Sequence, residues 1–376
     1  MIKDNSFFSQ GSYGCVSHPP LKCPTLHKGY PKMTRNMVSK LVKNDIFAKN
    51  ELHMGMRMKT IMKQEAEKAE SKKGRKIKGN KNNSPPSFMF YTKSCPISGD
   101  ELKHRDYKNC NIVDKDNSSS YMVLYGEYIQ SMTLSQYFSK TTSLEKFYDF
   151  FVFSLKILRT FRNHKIIHKD LKENNILVSN SSTFHVVDFG NSMDIANYLN
   201  KQGTLVFESR VKELLPFFIY APYHHYWTPE YHLISYLFSC IHKKQVIQDD
   251  SLDDLCEQIT TNNLIYSTEK DKNEAKTNMY DYFTKRCMVL KHHGDYMKYN
   301  EKKYVKCIEK LSRSSYASWD SYAICYTSLR ILNRINVSNI PMMKMLLDGL
   351  HYDCRKRLKL KYIIKRFREC LHHELN

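Results

Sequence analysis

No apolar run in this 376-residue chain approaches the roughly 18 residues that a membrane-spanning helix needs, so a transmembrane reading is excluded. The opening residues, MIKDNSFFSQGS, lack a charged stretch leading into an apolar core and a small-residue cleavage site, and secretion is not expected. The eleven cysteines form no paired Cys-x-x-Cys set of the zinc-ribbon kind, which argues against a structural metal and for buried free thiols in a reducing compartment. No internal repeat is visible. Acidic side chains are scarce beside basic ones, 38 against 59, leaving a formal charge of +21. A surface of that sign attracts nucleic acid, acidic proteins, anionic membrane or nucleotide. The charge does not choose among these, and solvated insertions account for it equally well.

What the chain does have is a globular composition, 41% hydrophobic and 12% aromatic, in a length suited to one large domain or two joined lobes. Its densest charge lies at about 63–87, KQEAEKAESKKGRKIKGNKNNSPPS, which cannot pack a core. It reads as a helix end running into a mobile basic loop, with nuclear localisation or direct nucleic-acid contact as the alternative. A second polar stretch, about 100–119, reads as a surface loop. Between them short apolar runs such as Tyr121–Tyr125 alternate with turns, so the first third is expected to be mainly β. From Leu134 the spacing becomes helical, with Phe147, Phe150, Phe151, Leu155 and Leu158 crowding one segment that ends near Asn163. The order predicts an α+β protein of two lobes, a β-rich one over 1–125 and a helical one over 126–376.

The strongest chemical signal is Ile166-Ile-His168-Lys169-Asp170-Leu171-Lys172-Glu173-Asn174-Asn175-Ile176-Leu177, followed after a turn at Ser179–Ser182 by Val186-Val187-Asp188-Phe189-Gly190. It closely resembles the catalytic loop and the metal-binding Asp-Phe-Gly motif of protein kinases, and the steps from Asp170 to Asn175 and from Asn175 to Asp188 match that family. Phosphoryl transfer through a loose transition state needs positioning and charge neutralisation more than covalent work. The resemblance implies that Asp170 orients the acceptor hydroxyl, that Lys172 lies beside the transferred phosphoryl group, and that Asn175 and Asp188 hold Mg²⁺ bridging the phosphates of ATP.

A glycine-rich loop is then expected near the N-terminus, and Phe7-Phe8-Ser9-Gln10-Gly11-Ser12-Tyr13-Gly14-Cys15-Val16 fits. Gly11, Ser12, Gly14 and Val16 are the nucleotide-binding candidates, with Ser9 standing where a first glycine is usual. The phosphate-anchoring lysine is placed at Lys40 rather than Lys43, because Lys40 is bracketed by apolar residues. Glu51 is its carboxylate partner, or else an exposed helix acid; Glu65 and Glu67 lie in the charge run and read as solvated.

The segment Gly11–Cys23, with its Pro-Pro-Leu-Lys-Cys extension, looks like kinases encoded by large nucleocytoplasmic DNA viruses, which implies host cytoplasm or virion as the location. Trp227-Thr228-Pro229-Glu230 resembles the Ala-Pro-Glu that closes the activation segment of kinases. Asp320, in Ser318-Trp-Asp-Ser-Tyr-Ala-Ile-Cys325, resembles the start of the long central helix of the larger lobe, and Arg357 the arginine that pairs with that glutamate. About 231–318 would then be an inserted helical subdomain. Lys169 replaces an arginine that clamps an activation-loop phosphate, so little dependence on such phosphorylation is expected, unless the replacement is neutral.

The resulting expectation is a bilobal kinase fold that transfers the γ-phosphoryl group of Mg·ATP to serine and threonine of protein substrates, possible acidic or nucleic-acid-associated partners included. Lys172, two residues after Asp170, favours Ser/Thr over Tyr. The alternatives are a pseudokinase-like scaffold holding nucleic acid or an acidic partner, supported by the charge and the missing first glycine, and a kinase-fold enzyme for a small molecule or lipid.

Overall fold

An antiparallel hairpin of β1 (Phe7–Gly11) and β2 (Gly14–Ser17) pairs onto β3 (Met37–Lys43), whose five middle residues are all buried. The computed structural model describes residues 7–11, 13–23, 34–73, 86–97, 101–103, 107, 110–113, 120–201, 205–206, 210–247, 249–287, 299–337 and 339–375. Ser12 and residues 74–85 of the basic stretch lie outside the described residues. After β3 comes α1 (Ile46–Lys73), followed by β4 (Ser87–Phe88), β5 (Tyr91–Ile97), β6 (Tyr121–Glu127) and β7 (Ser131–Thr133). One sheet has the order β1-β2-β3-β6-β5, all antiparallel, with Lys40 opposite both Val16 and Leu124.

The first third is β-rich as expected, and it also holds α1, which is 28 residues long. Ala48, Met54, Met58 and Ile61 are buried at helical spacing along it, while the charged run continues the same helix with residues 63–71 mostly exposed. The reading of 100–119 as surface loop is corrected at Leu102, Tyr107 and Cys110, which join Leu21, Tyr121 and Tyr125 in an apolar cluster.

The expectation of free thiols is corrected for six of the eleven cysteines. The structure joins Cys15 to Cys110, Cys23 to Cys95 and Cys287 to Cys307; Cys240, Cys256, Cys325, Cys354 and Cys370 are buried. The partners stand 95, 72 and 20 residues apart, so the fold rather than short spacing brings them together.

The chain continues through α2 (Leu134–Phe138), α3 (Leu144–His164), β8 (Ile166–Ile167), β9 (Ile176–Ser179), β10 (Phe184–Val186) and β11 (Met193–Asp194). Ser143 caps α3 by accepting from the Lys146 amide, and Lys165 ends it at φ 59°. Two compact units result, Met1–Leu134 with Asn174–Ser192, and Ser135–Glu173 with Met193–Asn376. The expected boundary at 125/126 is corrected accordingly. The β9–β10 hairpin belongs to the first unit because β9 pairs with β7 and β10 with β4, giving a second sheet ordered β4-β10-β9-β7. β8 and β11 pair within the second unit.

The rest of the second unit is helical: α4 (Val211–Leu214), α5 (Pro229–Lys243), α6 (Asp249–Thr260), α7 (Glu269–Arg286), α8 (Glu301–Ser315), α9 (Trp319–Arg334), α10 (Ile340–Gly349) and α11 (Leu360–Leu375). The segment 231–318 is helical as expected, but it is not a separate appendage. Its Leu233, Leu237, Leu252, Phe283, Ile308 and Leu311 share one apolar cluster with Ile167, Trp227 and Trp319, so removing it would expose the core of the unit. No described helix is long and apolar enough to cross a membrane.

Candidate active site

In the first unit, Lys40 is the lysine that meets Glu51. Its Nζ donates to Glu51 Oε1 and Oε2 at 3.0 and 2.9 Å and to Asp188 Oδ1 at 3.1 Å. Lys40 and Glu51 are buried, and Asp188 is about one-third exposed. Burial alone would lower the Lys40 pKa, but the facing Asp188 and Glu51 carboxylates more than offset it and hold the ammonium above its ordinary value. Burial pushes Glu51 up to about 7 against the pull of Lys40. One cation between two carboxylates leaves the cluster with excess negative charge on its exposed side, at Asp188.

Gly14 has a packing reason that its motif did not supply. A Cβ there would stand 2.7 Å from Leu41 O and 3.2 Å from Lys40 Cε, so any side chain would push on the strand that carries the ammonium. At Gly11 the nearest atom to such a Cβ is Gly14 O at 3.9 Å, so packing does not demand glycine. Val16 sits on β2 directly opposite Lys40.

Asp188 adopts φ 66°, a left-handed conformation that asparagine and aspartate tolerate better than most residues. The neighbouring backbone is held on several sides. Val187 N donates to Asn175 O, Ser192 N donates to Phe189 O, and Phe189 is buried edge-on to Phe88. Asn50, beside Glu51 on α1, donates through Nδ2 to Gly190 O at 2.8 Å and Ser192 O at 2.9 Å. Nothing in the sequence singled out Asn50, since one polar residue next to another on a helix carries no spacing signal. Asn175 and Asp188 carry hard oxygen donors, and among the described residues no cluster of three or more His, Cys, Asp or Glu is arranged to hold a metal ion.

In the second unit, Asp170 is contacted on both carboxylate oxygens. Lys172 Nζ lies 2.9 Å from Oδ2 and His224 Nε2 lies 3.2 Å from Oδ1. Burial alone would raise Asp170; His224 and the charge of Lys172 override it and hold the carboxyl well below the usual carboxylate range. The catalytic loop itself is fastened to one face of α9. Asp320 accepts from the His168 and Lys169 amides at 2.9 Å each, Thr327 Oγ1 donates to Leu171 O, and Arg330 and Arg334 hold buried Glu173 at 2.9 and 2.7 Å. Positions 320, 327, 330 and 334 recur at helical spacing, a pattern that could have been read once Asp320 was placed.

Lys169 is enclosed rather than offered to a ligand. Its Nζ donates to Phe217 O at 2.7 Å and lies over the rings of Phe217, Phe218 and Tyr231, and Trp227 Nε1 donates to its carbonyl at 2.6 Å. Burial lowers its pKa to about 7 despite the Asp320 and Asp170 carboxylates.

Thr228 caps α5 by accepting from the Tyr231 amide. The next acid, Glu230, is fully buried and meets Arg357 Nη2 at 2.9 Å, Cys354 N at 2.9 Å and Tyr282 Oη at 3.1 Å. Arg357 is equally enclosed and also donates to Ser318 Oγ and His351 O. Tyr282 belongs to α7, so the expected inserted segment contributes directly to this buried ion pair.

Residues 101–374 match the family model described as Protein kinase domain; Gly11, Gly14, Lys40 and Glu51 precede the matched stretch. A 92-residue part of the chain is 35% identical to a protein of Lactococcus lactis subsp. lactis named probable serine/threonine-protein kinase PknB. That alignment covers 24% of this chain and 14% of the relative, so the chain spans far less than the relative's full length. With a family match running through well over half of the sequence, and a β-rich unit and a helical unit beneath it, the chain belongs to the protein kinase domain family and has its bilobal α+β fold.

Proposed function

We propose that the protein is an active kinase that transfers the γ-phosphoryl group of Mg·ATP to serine and threonine hydroxyls of protein substrates. The observation that carries this reading is the retention of every charged group the chemistry needs, in two arranged sets: Lys40 between Glu51 and Asp188, and Asp170 between Lys172 and His224. A scaffold without catalysis has no need to keep a buried ammonium facing two carboxylates, an arrangement that costs desolvation.

Lys40, held by Glu51, would present its charge to the nucleotide phosphates. Asp188 and Asn175 would hold Mg²⁺, which supplies neutralisation of phosphate charge when bound, and the excess negative charge around Asp188 fits a cation. Asp170 would accept the acceptor hydroxyl proton, and Lys172 would steady the transferring phosphoryl oxygens. Lys172 is also the support for Ser/Thr over Tyr. Gly11 and Gly14 would let the β1–β2 turn approach the phosphates, with Ser12 and Val16 beside them.

The buried position of Lys169 supports a kinase that needs no activation-loop phosphate, because its ammonium is already satisfied by Phe217 O and three aromatic rings. The likeness of Gly11–Cys23 to kinases of large DNA viruses is the whole support for a viral setting, which probing purified particles for the chain would test.

The test of function is transfer of labelled γ-phosphate from ATP to a basic protein, casein and a lipid panel, with Asp170→Ala as control. Asp170-dependent labelling of serine or threonine is expected. Labelling confined to tyrosine or lipid would correct the substrate class, and none at all with ATP and Mg²⁺ present would favour the scaffold.

A further inference from the structure

No sequence motif assigns Asn50 a role, yet its side chain fastens α1 to the turn that follows Asp188. Nδ2 donates to Gly190 O at 2.8 Å and to Ser192 O at 2.9 Å. Both partners are carbonyls, so the amide must turn its nitrogen toward them, and its two hydrogens suffice for both bonds. The turn is closed by Ser192 N donating to Phe189 O, and Phe189, Gly190 and Ser192 are all buried. Gly190 lies against the charged cluster: a Cβ there would meet Glu51 Oε2 at 3.6 Å, Asp188 Oδ1 at 3.7 Å and Phe47 O at 3.7 Å. Asn50 and Glu51 are consecutive, so their side chains leave α1 about 100° apart. One reaches the turn after Asp188 and the other reaches Lys40, all within the first unit. A rotation or slide of the helix would undo both contacts together.

Asp188 needs such support. Its φ of 66° is sparsely populated for a residue with a side chain, and such a conformation persists only where the surrounding structure holds it. Before it, Val187 N donates to Asn175 O; after it, the carbonyls of Gly190 and Ser192 are held by Asn50. The contact of Asp188 Oδ1 with Lys40 Nζ at 3.1 Å is of another kind, because it depends on charge. On the kinase reading above, on which this inference rests, the charges around Lys40 and Asp188 change when nucleotide and cation arrive. A neutral amide bonded to backbone carbonyls responds to those changes far less than an ion pair does.

We propose that Asn50 is a positioning residue for phosphoryl transfer: it locks the backbone that aims the Asp188 carboxylate to the helix that brings Glu51 to Lys40, so the cluster keeps one geometry while its charges change. Asn50 touches no reacting atom and exchanges none.

The experiment uses the full chain as wild type, Asn50→Asp, Asn50→Gln and Asp170→Ala. Asn50→Asp keeps the shape of the side chain but turns oxygen toward the two carbonyls; Asn50→Gln restores the amide donor. Steady-state transfer from ATP to a phosphoacceptor peptide gives kcat and KM, and calorimetric titration with ADP, in Mg²⁺ and separately in EDTA, reads the site without turnover. Asn50→Asp should lower kcat about 10- to 100-fold, with KM for the peptide within about twofold of wild type. The gain in ADP affinity that Mg²⁺ confers should shrink about fivefold or more, while affinity in EDTA stays within about twofold. Asn50→Gln should recover most of the lost kcat. The inference is overturned if Asn50→Asp turns over within about twofold of wild type, if ADP affinity falls equally with and without Mg²⁺, as a purely structural role would have it, or if Asn50→Gln is no better than Asn50→Asp. Should Asn50→Asp fail to fold by circular dichroism, Asn50→Ala, which removes the donor without adding charge, takes its place in the same comparisons. Absence of Asp170-dependent transfer by the wild type would instead sink the kinase reading itself, and the role of Asn50 with it.

Discussion

Lys40 shows how much one side chain's surroundings decide. Removing its ammonium leaves Glu51 buried and facing Asp188 without that cation, so a satisfied buried cluster is lost, and on the proposed function a phosphate partner with it. Lys40→Met and Asp188→Ala should each lower kcat/KM by about 10²-fold or more, as should Asp170→Ala. Lys43→Met, at the end of β3, is the control. Steady-state phosphotransfer with circular dichroism to confirm folding checks this, and near-normal turnover in Lys40→Met with loss in Lys43→Met would move the phosphate anchor. In the sequence Lys40 was one candidate among many lysines, chosen for its apolar flanks. Only the strand pairing that sets it opposite Val16 and the facing helix turn that carries Glu51 separate it from the rest.

At the scale of elements, the activation segment and α9 grip the catalytic loop from different directions. Lys169 sits where they meet, with its amide on Asp320 and its ammonium on Phe217 O. Its pKa is about 7 in the folded chain and 10.5 ordinarily, so between those values the unfolded chain binds a proton that the folded chain does not. Stability should therefore rise with pH through that window, by up to about 1.4 kcal/mol per unit. Lys169→Met, which keeps the packing against the rings, should lack this slope. Urea unfolding at successive pH values between those limits, followed by tryptophan fluorescence, measures it; both tryptophans, Trp227 and Trp319, lie in this unit's core. The same enclosure predicts that phosphatase treatment leaves activity within about twofold. A large loss on dephosphorylation would show that another cation serves as the clamp.

For the whole molecule, the question is what closes the helical unit. Glu230 and Arg357 are 127 residues apart and both essentially without solvent contact. Breaking such a pair from one side strands a buried charge. Glu230→Ala and Arg357→Ala should each destabilise the second unit by roughly 3–5 kcal/mol, with the double variant costing far less than their sum. A double-mutant cycle of denaturant midpoints tests it, and additive losses would mean that Tyr282, Cys354 and Ser318 satisfy each partner independently. The cycle bears on 231–318 as well, because Tyr282 of α7 donates to Glu230 and the segment's apolar side chains fill the same core.

The sequence by itself determined what is contiguous: residues 166–190, where each chemical group stands a few positions from the next, and the helical stripe of α3. It also made Glu230, Asp320 and Arg357 legible, since each sits in a short motif. What only the tertiary structure decided are the relations between distant side chains. The disulfides join cysteines 95 and 72 positions apart, α1 runs on past its last buried residue, Ile61, and 231–318 is part of the core because its apolar side chains share a cluster with Trp227 and Trp319. Asn50 and His224 had no signal at all. Each is an ordinary polar residue in its own segment whose contact is with a residue more than fifty positions away, since a hydrogen bond or ion pair depends on distance in space and leaves no spacing in the chain.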